Sequence, residues 1–273
     1  MRRLAIAVFM MVFIAGWAVA QDDTNKTADQ ILDAMSSQVL GDEGVVQLKM
    51  IVYNKQGRSR SKELLTVIQK KDGIDRAITV FLAPPEIRGN KFLAIENPDG
   101  YDKQMMYLKG NKKLKRFDAD SAGDSFMGSD FSMKDIQSRD SSDGIHKRLP
   151  DETVDGQPCY VVQTVPKPGK EDDMGYSKIV YWVRKDSMIP VKADFYKLGD
   201  PNTVEKKLSV DELEQRDDGT WTAKKTTMQT IERGTKTEIV VLDSRTDVTV
   251  DDYYFTEPYM TNENQLIPEF KKK

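Results

Sequence analysis

One histidine, His146, and one cysteine, Cys159, stand in a chain of 273 residues. A multi-histidine metal cluster is therefore excluded, and no HExxH run occurs. A Ser-His-Asp triad would have to use His146, which its neighbours place in a polar loop. The GxSxG, GxxxxGKS/T and GxGxxG patterns are all missing. Carboxylates are plentiful, but no spacing sets a pair apart. Glu171-Asp172-Asp173 and Asp251-Asp252 read as solvated turns. A carboxylate hydrolase would need two close acids in a cleft, one with a raised pKa. Cys159 reads as a small hydrophobe in a strand, and it has no partner for an internal disulfide. The expectation is a protein without catalysis, metal or cofactor. The chemistry left is apolar. Thirteen methionines, among them Met105, Met106, Met127 and Met133, suit either an adaptable ligand surface or ordinary core filling.

The elements that must carry these residues begin after an export signal. Arg2 and Arg3 precede an apolar run from Leu4 to Trp17, and Ala18-Val19-Ala20 supplies small residues before the polar Gln21. This is the layout of a cleavable signal peptide over residues 1–20. The competing reading, a membrane anchor, would use a run at the short limit for a bilayer core of ~30 Å. No cysteine lies near the cleavage site, so a lipid on the mature N-terminus is not expected. Residues 21–273 are read as a single domain. The chain carries 41 basic and 44 acidic side chains; without Arg2 and Arg3 the balance is 39 to 44, a net charge of −5. An acidic excess argues against nucleic acid as partner.

Ile31, Leu32, Met35 and Val39 recur at helical spacing, so a helix is predicted from Thr27 or Asp29 to about Leu40, stopped by Gly41. The period then changes to two. Strands are predicted over 46–52, 64–70, 77–83, 92–96, 104–108 and 113–117, with Asp72-Gly73 as a hairpin signal. The pattern stops between Asp118 and Arg148 and resumes through seven further stretches to Ser244. The interrupting segment carries Phe126, Met127, Phe131, Met133 and Ile136 among many Ser, Gly and Asp residues. A loop this long is functional or disordered, and its aromatic and Met content argues against disorder. Ser132 and Asp135 suggest a capped helical turn. Strands in succession joined by tight turns indicate a mainly β meander of about eleven strands. A helix and an aromatic loop over its face would enclose a space for a non-polar ligand.

Several segments stand in a telling order. They are Phe81-Leu82-Ala83-Pro84-Pro85-Glu86-Ile87-Arg88-Gly89-Asn90-Lys91-Phe92-Leu93, then Met106-Tyr107-Leu108, Lys115-Arg116-Phe117 and Ser125-Phe126-Met127-Gly128-Ser129-Asp130-Phe131-Ser132. In these runs the chain resembles the outer-membrane lipoprotein-sorting proteins, periplasmic relatives of the carriers LolA and LolB. The resemblance extends from about Ala28 to Tyr259. It implies a mainly β fold: an incomplete antiparallel β-barrel of about eleven strands, with an N-terminal helix and a lid closing its mouth. It also implies a monomeric periplasmic carrier that shields a lipid or lipoprotein acyl chain on its way to the outer membrane. An inner-membrane transporter of the resistance-nodulation-division (RND) class is the implied partner. Phe92, Met106, Phe126, Met127, Phe131, Met133 and Ile136 are the expected lipid-binding residues, and Arg88 is the expected lid lock. The chain has no clear match to the C-terminal hook of the narrower lipoprotein carriers, so its cargo need not be a lipoprotein. The rival reading is a docking module for a transporter or outer-membrane assembly, which an exposed aromatic patch at Tyr253–Tyr259 would favour.

Overall fold

The computed structural model describes residues 3–4, 26–36, 43–98, 100–118, 121, 123–136, 139–215, 219, 221–246, 248–265 and 271–272. Most of the predicted signal peptide, the end of the predicted helix and its Gly41 stop lie outside these residues. Helix α1 is Ala28–Ser36. Its start is a reciprocal cap: the Gln30 amide donates to Thr27 Oγ1 at 3.3 Å, and the Thr27 amide donates to Gln30 Oε1 at 2.9 Å. The helical spacing has a purpose, because Ile31, Leu32 and Met35 are all buried.

Thirteen strands follow, and they form one antiparallel sheet. The first six are β1 (Glu43–Tyr53), β2 (Ser59–Lys71), β3 (Ile74–Ala83), β4 (Lys91–Ile95), β5 (Lys103–Leu108) and β6 (Lys113–Phe117). The next seven are β7 (Gly144–Val154), β8 (Gln157–Pro166), β9 (Lys178–Arg184), β10 (Pro190–Tyr196), β11 (Val204–Gln215), β12 (Trp221–Thr230) and β13 (Thr235–Arg245). Between β8 and β9 lies the one-turn helix α2 (Glu171–Met174), and α3 (Glu257–Thr261) follows β13. Among the described residues, two-residue strands also pair 3–4 with 139–140 and 248–249 with 271–272.

Sequential neighbours pair throughout, except where β1 meets β13 at the centre. The spatial order therefore runs from β6 through β1, across to β13, and back to β7. This corrects the expected incomplete barrel of about eleven strands: the sheet is open and has thirteen. The strand whose extent departs most from the prediction is β7, of which only the last two residues are predicted as strand. Its burial is mostly partial or absent, so it lacks the apolar alternation that marks a half-buried strand. His146 accordingly lies on a strand, not in a loop, with Nδ1 2.9 Å from Thr164 Oγ1. The strand β7 and the Lys/Arg-rich β6 are the sheet edges, and their polarity discourages further pairing.

The tight turns follow the sequence closely. Asp72 and Gly73 both have positive φ, 53° and 77°, as a two-residue hairpin of type I′ requires. In the Pro-Pro segment, residues 85–87 form a 3₁₀ turn and Gly89 sits at φ 87°, a conformation that glycine adopts without strain. Its amide donates to the Phe81 carbonyl at 2.8 Å, and Asn90 Oδ1 accepts from the Lys109 amide at 3.0 Å. This part of the motif thus builds the β3–β4 corner and ties it to the β5–β6 corner.

The two sheet faces are covered differently. On the inner face, one apolar cluster gathers α1, the segment after β6, and residues from strands of both halves of the sheet. On the outer face of β1–β5, Val45, Leu65, Val67, Ile78, Leu93, Met105 and Tyr107 pack under a C-terminal strap carrying Val248, Val250, Tyr254, Phe255, Tyr259 and Met260. Fully buried Lys91 fastens the strap. Its Nζ donates to the carbonyls of Tyr259, Asn262 and Gln265 at 2.7, 2.8 and 3.1 Å and sits 3.9 Å from the Tyr259 ring centre.

Candidate functional site

The segment from 118 to 143 joins the two edge strands. Because β6 and β7 both run away from the corner that holds Arg88, the segment must return along the sheet to start β7. Its described residues do so over the inner face, packed against both halves. Its centre is the run Ser125–Ser132, which closes on itself. The Phe126 amide donates to the Phe131 carbonyl at 2.8 Å, Ser125 Oγ donates to the Ser129 carbonyl at 2.7 Å, and Ser125 and Ser132 form a β-bridge. Met127 and Gly128 make the tip with φ 52° and 73°. The predicted turn after Ser132 is present as reciprocal bonds between Ser132 and Asp135, with residues 133–136 turning; residues 137–138 lie outside the described residues.

This lid is apolar beneath and polar at its fixings. Phe126, Phe131, Met133 and Ile136 are buried. The Phe126 ring lies edge-on to Phe92 at 5.1 Å between centres and 6.4 Å from Phe81. Phe92, Met106, Phe126, Phe131, Met133 and Ile136 all belong to one cluster, with Met127 half-buried against it. The structure therefore brings all seven expected lipid-binding residues together. Arg88 stands apart: it is exposed, and its guanidinium has no hydrogen-bond or ion-pair partner among the described residues.

The fixings are two buried aspartates. Asp130 is 1% exposed. Its Oδ1 accepts from Thr230 Oγ1 at 2.6 Å, from Thr235 Oγ1 and from Arg233 at 3.3 Å. Its Oδ2 accepts from Thr237 Oγ1 at 2.7 Å, and its amide donates back to that hydroxyl at 2.9 Å. All these partners lie on or beside the β12–β13 hairpin. Asp135 is equally buried; it accepts from Lys206 Nζ and from Tyr176 Oη, each at 2.7 Å. A third tie is Lys62 Nζ, which donates to the Met127 carbonyl at 3.0 Å. Burial, and then the nearby Arg60 charge, lowers the Lys62 pKa. The threonines and Lys206 escape sequence reading because they are 71 to 107 residues from the aspartates they serve. The available signal was the polar character of Thr230, Thr235 and Thr237 at one strand end.

Other features bear on the site. Tyr254, Phe255 and Tyr259 are buried against the outer face and only Tyr253 reaches solvent, so no exposed aromatic patch forms there. Among the described residues, no group of three or more His, Cys, Asp or Glu side chains stands together as a metal site. A polar cleft of about 570 Å³ lies elsewhere, lined by Glu43, Gln69, Lys70, Lys71 and Val250–Asp252. Its lining suits none of the apolar chemistry beneath the lid.

Comparison with known proteins adds to this geometry. A family model described as "Uncharacterized protein" matches residues 73–262. No curated protein matches the chain. Among solved structures, a DUF1329 family protein from Desulfovibrio piger is similar at 28% identity and a TM-score of 0.75, over 85% of this chain and 94% of that one. A putative outer membrane lipoprotein-sorting protein domain from Vibrio parahaemolyticus is similar at 26% identity and a TM-score of 0.73, over 81% of this chain and 92% of that one. A LolA superfamily protein from Nitrosomonas europaea shares 17% identity at a TM-score of 0.65, over 86% of this chain and 99% of that one, which shows likeness of fold. The open sheet with few short helices thus resembles the LolA-like superfamily fold.

Proposed function

The chain belongs to the family whose model matches residues 73–262, and we propose that it is an exported periplasmic carrier. In this reading it shields a lipid or lipoprotein acyl chain between the inner sheet face and the lid. The observation that carries the proposal is the lid itself. It is a self-closed unit with an apolar underside, held to the sheet by side-chain bonds to Asp130 and Asp135 in place of a strand ladder. Such a unit can lift without tearing the sheet. Burying a methylene is worth about 0.8 kcal/mol, so an acyl chain crossing water needs an apolar cover. Phe126, Phe131, Met133 and Ile136 occupy the space that the chain would take, and Phe92 and Met106 form its floor. Met127 marks the lid tip. The locking expected of Arg88 falls in this reading to the two aspartates. The likeness to a protein described as lipoprotein-sorting supports the assignment. Export rests on the Arg2 to Ala20 signal, and an RND-class transporter is the proposed donor or acceptor.

The test is native mass spectrometry of the protein purified from its own periplasm, followed by organic extraction. A co-purifying lipid, lost in a folded F131D variant, is expected. A protein that is bare at isolation and stays bare after incubation with membrane lipids would overturn the carrier assignment.

A further inference from the structure

Hairpin corners of an antiparallel meander alternate between the two ends of the sheet. One end therefore collects, side by side, the corners β5–β6 (109–112), β3–β4 (84–90), β1–β2 (54–58) and β12–β13 (231–234). Contacts confirm the row: Asn90 bonds the Lys109 amide, and a Cβ on Gly234 would lie 3.6 Å from Lys55. The first three corners and the adjoining strand ends carry Lys55, Arg58, Arg60, Arg88, Lys109 and Lys113. None of these six side chains has an acidic partner among the described residues, and all but Lys109 are exposed. Glu86 is the one acid on those three corners themselves.

The rest of the same end is different. Arg233 pairs with Asp130, Lys236 with Glu238, Lys197 with Glu232, and Lys170 with Asp143 and Asp173. Uncompensated cations therefore gather on the half of the rim formed by β1–β6, where of the corner cations only Lys112 meets an acid, Glu263 at 3.9 Å. On the other half Lys167 and Lys207 lack an ion pair among the described residues, but they lie on loops and strand starts that also carry Asp143, Glu171, Asp172, Asp173, Asp200, Glu205 and Glu232. A chain with net charge −3 does not collect such a row by overall composition. Neighbouring corners are two strands apart, about 10 Å, so the row extends along roughly 20 Å of a rim. That spacing exceeds the reach of one small anion. It also matches the Debye length of ~8 Å, so each cation acts on a surface almost independently. The row adjoins the lid, since Lys62, two residues beyond Arg60, holds the Met127 carbonyl.

We propose that this cationic rim docks the protein, lid tip inward, on the surface of an anionic phospholipid bilayer. A linear row of exposed cations faces a plane of headgroups better than it fits a concave pocket. Docking would bring the lid tip to the interface at which an acyl chain enters or leaves. That purpose rests on the carrier reading; the charge row does not.

The experiment is vesicle flotation of the full mature protein, with phosphatidylcholine vesicles that contain or lack phosphatidylglycerol. Salt-sensitive binding to the anionic vesicles alone is expected. The K55E/R58E/K113E variant should bind at least tenfold more weakly, because each cation near such a surface contributes about fivefold. The variant K70E/K224E/R245E makes the same change in net charge at the opposite end of the sheet and should bind nearly as the parent does. Equal loss in both variants, binding to neutral vesicles, or no vesicle binding would overturn the proposal; in the last case an acidic protein becomes the favoured partner. Acyl-probe binding measured in parallel separates the two readings. The rim variant should keep it, and a failed carrier reading would remove it from the parent while leaving vesicle binding intact.

Discussion

At the scale of the residue, Asp130 does most to hold the lid down. A carboxylate with almost no exposure is tolerated because three threonine hydroxyls and Arg233 surround it. Removing one partner of a buried charged network leaves the others without acceptors, at a cost of roughly 3 kcal/mol. D130A should lower the unfolding free energy in urea by about that amount. It should also speed proteolytic cleavage between 118 and 143, and hasten uptake of an acyl-chain probe. Unchanged cleavage and uptake in D130A would show that the aspartate does not govern the lid. The importance of this residue was only half legible. The run Ser125–Ser132 stood out as a motif, but its aromatic residues drew the functional reading while Asp130 and its partners across the fold went unseen. Hydrogen bonds across a hundred residues leave no local periodicity. Arg88 was singled out because it stands in a motif, and that motif proves to shape a corner.

At the scale of the element, apolar alternation placed most strands correctly, because each has one face against a core and period two follows. The failure at β7 has the same physical cause: an edge strand that buries little has no period to read. The lid's path was legible as a break in pattern, and its composition showed that it was packed. The strap after β13 was legible only as a cluster of tyrosines. Its fastening, Lys91, would have passed for an ordinary strand lysine. Burial, and then the charge of Lys109, pushes its pKa down to about 8 from 10.5. Between those values the unfolded chain holds a proton that the folded protein has released. Stability from this group therefore rises with pH across that window, and below it the full cost of the buried charge is present. K91M leaves three carbonyls without their donor and should be less stable than the parent throughout. Urea titrations from pH 8 to 10.5 should show the gap between the two widening. A constant or narrowing gap would mean that the ammonium is not penalised in the folded state.

At the scale of the whole molecule, one sheet separates two differently used faces. The outer face of β1–β5 is closed by a strap fixed through a buried lysine and ion pairs such as Arg116–Glu257 at 2.7 Å. The inner face is closed by a lid whose fixings to the sheet, among the described residues, each use at least one side chain, two of them reaching lid main-chain atoms at Met127 and Asp130. The asymmetry suits a molecule that keeps one covering permanently and lifts the other. A photolabelling experiment tests this most directly. A fatty acyl chain bearing a diazirine near its methyl end is equilibrated with the protein and irradiated, and the modified peptides are mapped. The account predicts adducts on the peptides carrying Phe92, Met106 and Phe126–Ile136, reduced by excess unlabelled fatty acid. Adducts confined to the strap and outer face, or none that excess fatty acid displaces, would contradict it.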